Sequence, residues 1–187
     1  MDGENQRVRI TKLLLKETLE ELLKQKPITR ITVKEICSSA GINRSTFYQH
    51  YADQYALLDE IEDDIIRQAD EFIGKISPEK GGRQYLVELA AFVRRNGAIL
   101  SLLLTSGSGM NFQNKFMACV LKKLSTADPE LYSSELMPYF SQFLIMGNIS
   151  VIRQWITDGF SLSDEKAADL LYCLSEGVVK AFDNIEK

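Results

Sequence analysis

The sequence predicts an all-α protein with a small head of three helices, residues 1–52, and a larger helical body, residues 53–187, with about nine helices in total. Apolar residues repeat at helical spacing along nearly all of the 187 residues, and no alternating apolar and polar run indicates a strand. With 45% hydrophobic and 26% charged residues, the composition is that of a folded chain and excludes disorder as the main state.

A first amphipathic helix is predicted from about residue 8 to residue 25, because Leu15, Leu19 and Leu22 fall on one face. Pro27 cannot continue a helix and therefore ends it. A short linker follows before the next apolar pattern begins.

The next two helices are short and are separated by a turn. Thr32 and Glu35 form a capping-box pattern that starts the second helix, and Gly41 can take the positive φ that ends it. Asn43 is a good N-cap for a third helix over Arg44–Tyr51. This arrangement predicts a helix-turn-helix unit.

In such units the second helix enters the major groove of DNA, with one face anchored inward and the other carrying hydrogen-bonding groups. Phe47 and Tyr51, four residues apart, are predicted to be the inward face, while Arg44 and Gln49 can read base edges. Together with residues that can donate to phosphates, the predicted contacts with double-stranded DNA are Thr32, Lys34, Arg44, Ser45, Thr46, Tyr48, Gln49 and His50.

The charge distribution fits this prediction. The whole chain carries −4, but residues 1–50 carry a net +3 and residues 51–187 a net −7. A basic head on an acidic body suits a head that meets a polyanion and a body that does not.

The stretch ITVKEICSSAGINRSTFYQHYADQYALLDEI, residues 31–61, resembles the DNA-binding head of TetR-type bacterial transcriptional regulators. The helix, the A-G turn, the Y-x-H-Y segment and the pair Leu57-Leu58 occur in the family's order. The resemblance implies a homodimer that binds a palindromic operator and pairs through its last two helices. One departure is Gln54, which stands where the family often has a phosphate-binding lysine.

The last two helices, predicted over about 134–157 and 163–184, independently indicate a dimer. The first is apolar nearly all round, and the second repeats apolar residues in alternating steps of four and three, which is the spacing of a helix seam. The residues predicted at the dimer interface are Phe140, Leu144, Val151, Leu171, Leu174, Val178 and Ala181.

The input to the body has two candidate forms. In the first, the protein is a repressor released by a small molecule in a pocket lined by Phe92, Met110, Phe116, Tyr139 and Phe143. In the second, the body senses a protein partner, because it also resembles a subgroup of these regulators that includes activators of dihydroxyacetone-kinase operons, whose input comes from protein partners.

The sequence predicts no catalytic site, metal or cofactor. The single histidine, His50, lies in the groove-reading helix, so no serine or cysteine has a histidine base elsewhere. The acidic run Glu62-Asp63-Asp64 is interpreted as a solvated helix face rather than a metal site.

A cytoplasmic location without a membrane partner is expected. Cys37, Cys119 and Cys173 are far apart, and the N-terminus is polar where a secretion signal is apolar. The longest uncharged stretch, residues 136–152, contains proline, glutamine, asparagine and two serines, which favours a helix buried in protein.

Overall fold

The computed structural model describes residues 2–73, 82–105, 109–127 and 133–185, and every regular element in those ranges is helical. The prediction of an all-α chain is confirmed. Besides a 3-10 turn at Ile28–Arg30, the described α-helices are α1 Asp2–Leu23, α2 Val33–Ala40, α3 Arg44–Tyr48, α4 Gln54–Ile73, α5 Gly82–Arg95, α6 Gly97–Thr105, α7 Gly109–Ala127, α8 Met137–Thr157 and α9 Asp164–Ile185. None of these helices is both long and apolar enough to cross a bilayer.

The chain forms two compact units, Met1–Ile65 and Ile66–Lys187. The first unit takes in the N-terminal part of α4, which the sequence-based division after residue 52 assigns to the body. The reason is burial: Leu57, Leu58 and Ile61 of α4 are at most 5% exposed and belong to the core of the head.

The helices of the first unit follow local signals closely, except at the start of α1. The Asp53 side chain caps α4, accepting from the amides of Tyr55 and Ala56 at 2.9 Å each. α1 begins at Asp2 rather than near residue 8, and residues 6–10 are exposed. Residues 2–7, DGENQR, contain no apolar side chain, so the apolar pattern could not detect this part of the helix.

Four charged side chains, here called the α1–α4 charge cluster, join the first and fourth helices. Lys12 Nζ lies 3.0 Å from Glu60 Oε2, and Lys16 Nζ lies 2.7 Å from Glu60 Oε1 and 2.5 Å from Asp64 Oδ2. Burial alone would raise the pKa of Glu60, but the hydrogen bonds from Lys16 and Lys12 outweigh it and lower the pKa to about 2. Glu60 is therefore ionised at neutral pH and holds both lysines.

The second unit is organised around α9. This helix packs most extensively against α5 and also against α8, and α6 packs against α7 and α8. The apolar side chains of α6 explain its place in the core, since Ile99, Leu100, Leu103 and Leu104 are at most 7% exposed.

The loop between α8 and α9 is held by an arginine between two aromatic rings. Arg94 Cζ lies 5.1 Å from the centre of the Trp155 ring and 5.0 Å from that of Phe160. Arg94 Nε also lies 2.6 Å from Asp164 Oδ1, and both Arg94 Nη2 and Trp155 Nε1 donate to the Leu162 carbonyl at 2.7 and 3.1 Å. These contacts tie the loop to the C-terminal turn of α5.

Gly97 should tolerate no side chain, because a Cβ atom there would lie 2.5 Å from Phe160 Cζ. The ring cannot easily move, since Phe160 has φ 60° and packs edge-on against Trp155 at 5.0 Å. We expect Gly97→Ala to lower the free energy of unfolding by about 1 to 3 kcal/mol, measured by urea denaturation. In a Phe160→Ala background the same change should cost much less, and equal costs in both backgrounds would contradict this packing.

Glu60 should stabilise the head in a pH-dependent way. The pKa of the Glu60 carboxyl is 4.5 when unperturbed and about 2 in the folded chain. Its contribution to the free energy of unfolding is therefore complete above about pH 4.5 and is lost as the pH falls toward 2. We expect the free-energy advantage of the wild type over Glu60→Gln to be larger at about pH 6 than at about pH 3 in urea denaturation. The other carboxylates are present in both proteins, so their contributions cancel in the difference between the two free energies of unfolding. A difference that does not change with pH would contradict the ion pairs of Glu60.

Candidate nucleic-acid interface

The start of α2 is built by Thr32. Its Oγ1 accepts a hydrogen bond from the amide of Glu35 at 3.3 Å, which is the predicted cap. The Glu35 carboxylate, which the capping-box pattern directs at the Thr32 amide, accepts from Lys26 Nζ at 2.6 and 2.7 Å. Glu35 therefore neutralises a lysine of the preceding segment and joins it to α2.

The turn between α2 and α3 depends on Gly41. This residue has φ 66° and ψ 28°, and its amide and that of Ile42 both bond to the Cys37 carbonyl. A side chain would be strained at this φ. Asn43 is the N-cap residue of α3, as predicted, but its side chain makes no capping hydrogen bond. Its carbonyl instead accepts the first helical bond, from the Phe47 amide at 3.1 Å.

α3 is shorter than predicted because its last turn tightens. The helix ends at Tyr48 rather than Tyr51, and the His50 amide bonds to the Phe47 carbonyl, three residues back, at 2.9 Å. The predicted inner face is confirmed, since Phe47 is 0% and Tyr51 4% exposed. Their ring centres lie 5.6 Å apart.

Opposite Phe47, the helix-turn-helix presents a polar surface. Tyr48 is 57% exposed although it is aromatic, and it directly follows the fully buried Phe47. Among the predicted DNA contacts, the exposed residues are Thr32, Lys34, Arg44, Ser45, Tyr48 and Gln49, and the half-buried ones are Thr46 and His50. All eight predicted contacts are therefore at least partly accessible to solvent.

The positive charges of the head fall into two groups. Four lysines pair with carboxylates of the same unit: Lys12, Lys16, Lys24 and Lys26. Within the described ranges, no ion pair involves Lys34 or Arg44. Among the eight predicted DNA contacts, Lys34 and Arg44 are the lysine and the arginine, and the neutral Gln54 at the start of α4 adds no charge.

Sequence reasoning missed the α1–α4 charge cluster, although a signal for it was present. Lys12 and Lys16 lie four residues apart on α1, and Glu60 and Asp64 lie four apart on α4. Side chains at this spacing share a helix face. Two matched pairs of opposite charge therefore indicate that the two helices meet side by side.

The residues predicted at the dimer interface divide into inward and outward groups. Leu171 is 2% exposed and Phe140 packs on Phe182 with ring centres 4.3 Å apart, so these two are engaged within the chain. The interpretation of Leu171 as an interface residue is wrong, because this side chain is buried in the core of its own subunit. The outward group comprises the exposed Leu174 and Ala181 and the half-buried Leu144, Val151 and Val178.

The residues predicted to line a ligand pocket differ widely in exposure. Phe92 is 4% exposed in the core, and Phe116 is half-buried and stacks on Phe112 at 6.3 Å. Tyr139 and Phe143 are 76% and 67% exposed on α8, so their assignment to an enclosed pocket is wrong. The side chain of Met110 lies outside the described residues.

The acidic run in α4 also differs from its interpretation as a solvated face. Glu62 is 1% exposed, and Asp64 pairs with Lys16. Residue types alone could not predict this burial. Neighbouring positions of a helix point in different directions, so one member of an acidic run can be buried while the next is exposed.

Two family models match this chain, and together they span most of it. The family described as bacterial regulatory proteins, tetR family, matches residues 16–61. The family described as transcriptional regulator C-terminal region matches residues 83–177. The first match contains α2, the Gly41 turn and α3.

Two curated relatives match parts of this chain. The protein named uncharacterized HTH-type transcriptional regulator YxbF, from Bacillus subtilis (strain 168), is 22% identical over 81% of this chain and 41% of its own length. The HTH-type transcriptional regulator EthR of Mycobacterium tuberculosis (strain CDC 1551 / Oshkosh) is 36% identical over 31% of this chain and 27% of its own length. The chain therefore matches less than half the length of either relative.

Solved structures share the fold over nearly the whole chain. The dihydroxyacetone kinase operon activator DhaS is 23% identical with a TM-score of 0.60, over 92% of this chain and 97% of that one. A TetR transcriptional regulator from Streptococcus agalactiae 2603V is 21% identical with a TM-score of 0.65 over the same shares of the two chains. Because one family model covers half of the chain and the other covers its helix-turn-helix, this protein belongs to the TetR family of transcriptional regulators.

Proposed function

We propose that the protein is a homodimer that binds a palindromic operator, with α3 of each subunit in the major groove. The observation that carries the proposal is the division of α3, in which Phe47 is fully buried and Tyr48 is 57% exposed. Arg44, at the first position of α3, is exposed and placed to reach base edges, as is Gln49. Phosphate contacts are assigned to Thr32, Lys34, Ser45, Thr46, Tyr48 and His50.

The homodimer is supported by apolar side chains that α8 and α9 leave in water. Tyr139 and Phe143, one turn apart on α8, are 76% and 67% exposed, and Leu170 and Leu174 of α9 are 40% and 49% exposed. Large exposed aromatic side chains are typical anchors of protein interfaces. A second copy that covers them would present two heads to half-sites about 34 Å apart or a multiple of that distance.

For the output, we propose repression relieved by a small molecule that binds the body and changes the spacing of the heads. A coupling of this kind is typically about 1 to 3 kcal/mol. The alternative is an activator whose body senses a protein partner. It is favoured by the likeness to the dihydroxyacetone kinase operon activator DhaS and by the exposure of Tyr139 and Phe143, which removes two residues from the pocket.

We also propose that the protein acts in the cytoplasm, where its DNA partner would be, and that it has no enzymatic activity. The first part is supported by three widely separated cysteines, none of which is in a disulfide. The second is supported by the family, whose members are transcriptional regulators.

Replacing Arg44 by alanine should weaken binding to the operator by about 1 to 3 kcal/mol and leave binding to random DNA nearly unchanged, because base contacts are lost while most phosphate contacts remain. The operator is obtained by selecting bound duplexes from a random library, and affinity is measured by fluorescence anisotropy. Arg30→Ala is the matched control, since Arg30 is exposed in the same unit but lies outside α2 and α3. Equal losses for Arg44→Ala on both DNAs would remove it from the base-reading residues.

Replacing Phe143 by glutamate should convert the dimer into monomers, because the charge would be buried at the interface. Phe143 is 67% exposed within one chain, so the monomer should stay folded. Sedimentation equilibrium should give twice the chain mass for the wild type and a single chain mass for the variant. Ala98→Glu places the same charge at an exposed site on α6 and should leave a dimer. A dimeric Phe143→Glu variant would exclude this face.

A further inference from the structure

Tyr51, three residues after the end of α3, is held by the α1–α4 charge cluster. Tyr51 is 4% exposed, and Lys12 Nζ lies 5.4 Å from the centre of its ring. Within the described residues its buried hydroxyl has no hydrogen bond of ordinary geometry. Burial, followed by the Glu60 carboxylate, raises the pKa of this hydroxyl. Tyr51 therefore sits against Lys12 and Glu60, which are bonded to each other at 3.0 Å.

Tyr51 in turn sets the end of α3. Its amide bonds to the Phe47 carbonyl at 2.9 Å, and its ring lies 5.6 Å from the Phe47 ring and 6.3 Å from the His50 ring. With only five residues, α3 has few hydrogen bonds of its own to fix its direction. Its direction consequently depends on the two rings beneath it.

We propose that Glu60 is a positioning residue for operator recognition: by holding Lys12 and Lys16 of α1, it fixes Tyr51 and with it the angle at which α3 presents Arg44 and Gln49. The inference rests on the proposed DNA binding. Glu60 itself is an acidic residue and would not contact DNA. Its role is the geometric one of joining α4 to α1 and, through Lys12, to Tyr51 after the end of α3.

The two components of DNA affinity depend on this geometry to different degrees. Bidentate contacts with base edges require a defined direction of the side chain, whereas charge attraction to the phosphates tolerates small rotations of a helix. Loss of the carboxylate should therefore reduce the preference for the operator. Loss of one negative charge by itself would instead raise the affinity for operator and random DNA alike, because a more positive head binds all DNA more tightly.

The experiment compares the affinities of the full chain for the selected operator and for random duplex at one salt concentration. We expect Glu60→Gln to lower the ratio of operator to random affinity by about 10-fold, while its affinity for random DNA is unchanged or higher. The matched control is Glu17→Gln, which removes the same charge from an exposed position of α1. This control should keep the wild-type ratio.

A second pair of variants keeps the test valid if Glu60→Gln does not fold. Lys12 is the more exposed lysine of the cluster, at 35% against 17% for Lys16, and Lys12→Gln should stay folded. We expect it to lower the ratio by about 3-fold. Lys24→Gln, which removes a lysine paired on the surface of α1 with Glu21, should lower both affinities slightly and leave the ratio unchanged.

The outcomes separate this inference from the proposed function. If folded Glu60→Gln and Lys12→Gln keep the wild-type ratio, the positioning role is wrong while operator binding stands. If the wild type itself selects no sequence from the library, the proposed function is wrong and the inference falls with it. A ratio that falls in the two cluster variants and not in their controls supports the positioning role.

Discussion

Burial of Phe47 is the interaction on which the DNA-binding face depends. A helix of five residues is too short to be stable in water by its own hydrogen bonds, since isolated helices need about 12 to 15 residues. Full burial of a phenylalanine side chain contributes about 1.5 to 3 kcal/mol, which is enough to hold such a helix against a core. Because Phe47 points inward, Arg44, Ser45 and Tyr48 are left at the surface.

The head uses charge in two ways that do not interfere. Lys12 and Lys16 face α4 and are compensated by Glu60 and Asp64, which stabilises the packing of the head. Arg44, the first residue of α3, is exposed and has no such partner in the described residues. The net charge of residues 1–50, which is +3, therefore includes two lysines that Glu60 and Asp64, outside that range, neutralise.

Much of the head was predictable from sequence because its signals are local. The Thr32 cap, the positive φ of Gly41 and the Asp53 cap each depend on residues within three positions of one another. Asn43 shows the limit of such signals: it has an extended backbone before α3, but the side-chain bond is absent. A favourable residue type allows a cap without requiring it.

The body was less predictable because its signals are not local. The apolar spacing of α9 predicts a helix seam, but it cannot tell which stripe faces α5 and which faces outward, and Leu171 belongs to the buried stripe. Tyr139 and Phe143 were assigned to a pocket because aromatic residues are usually buried, and only the three-dimensional packing places them at the surface. Glu62 was assigned to a solvated face because acidic residues are rarely buried, yet it is 1% exposed.

Contact between the exposed side of α3 and DNA is tested most directly by site-specific photocrosslinking. A photoreactive phenylalanine analogue is placed at Tyr48, which is 57% exposed, or at Tyr139, which is 76% exposed on α8. Each protein is irradiated with labelled operator duplex. We expect a covalent protein–DNA adduct from position 48 and none from position 139. A folded protein that binds the duplex but gives no adduct from position 48 would contradict it.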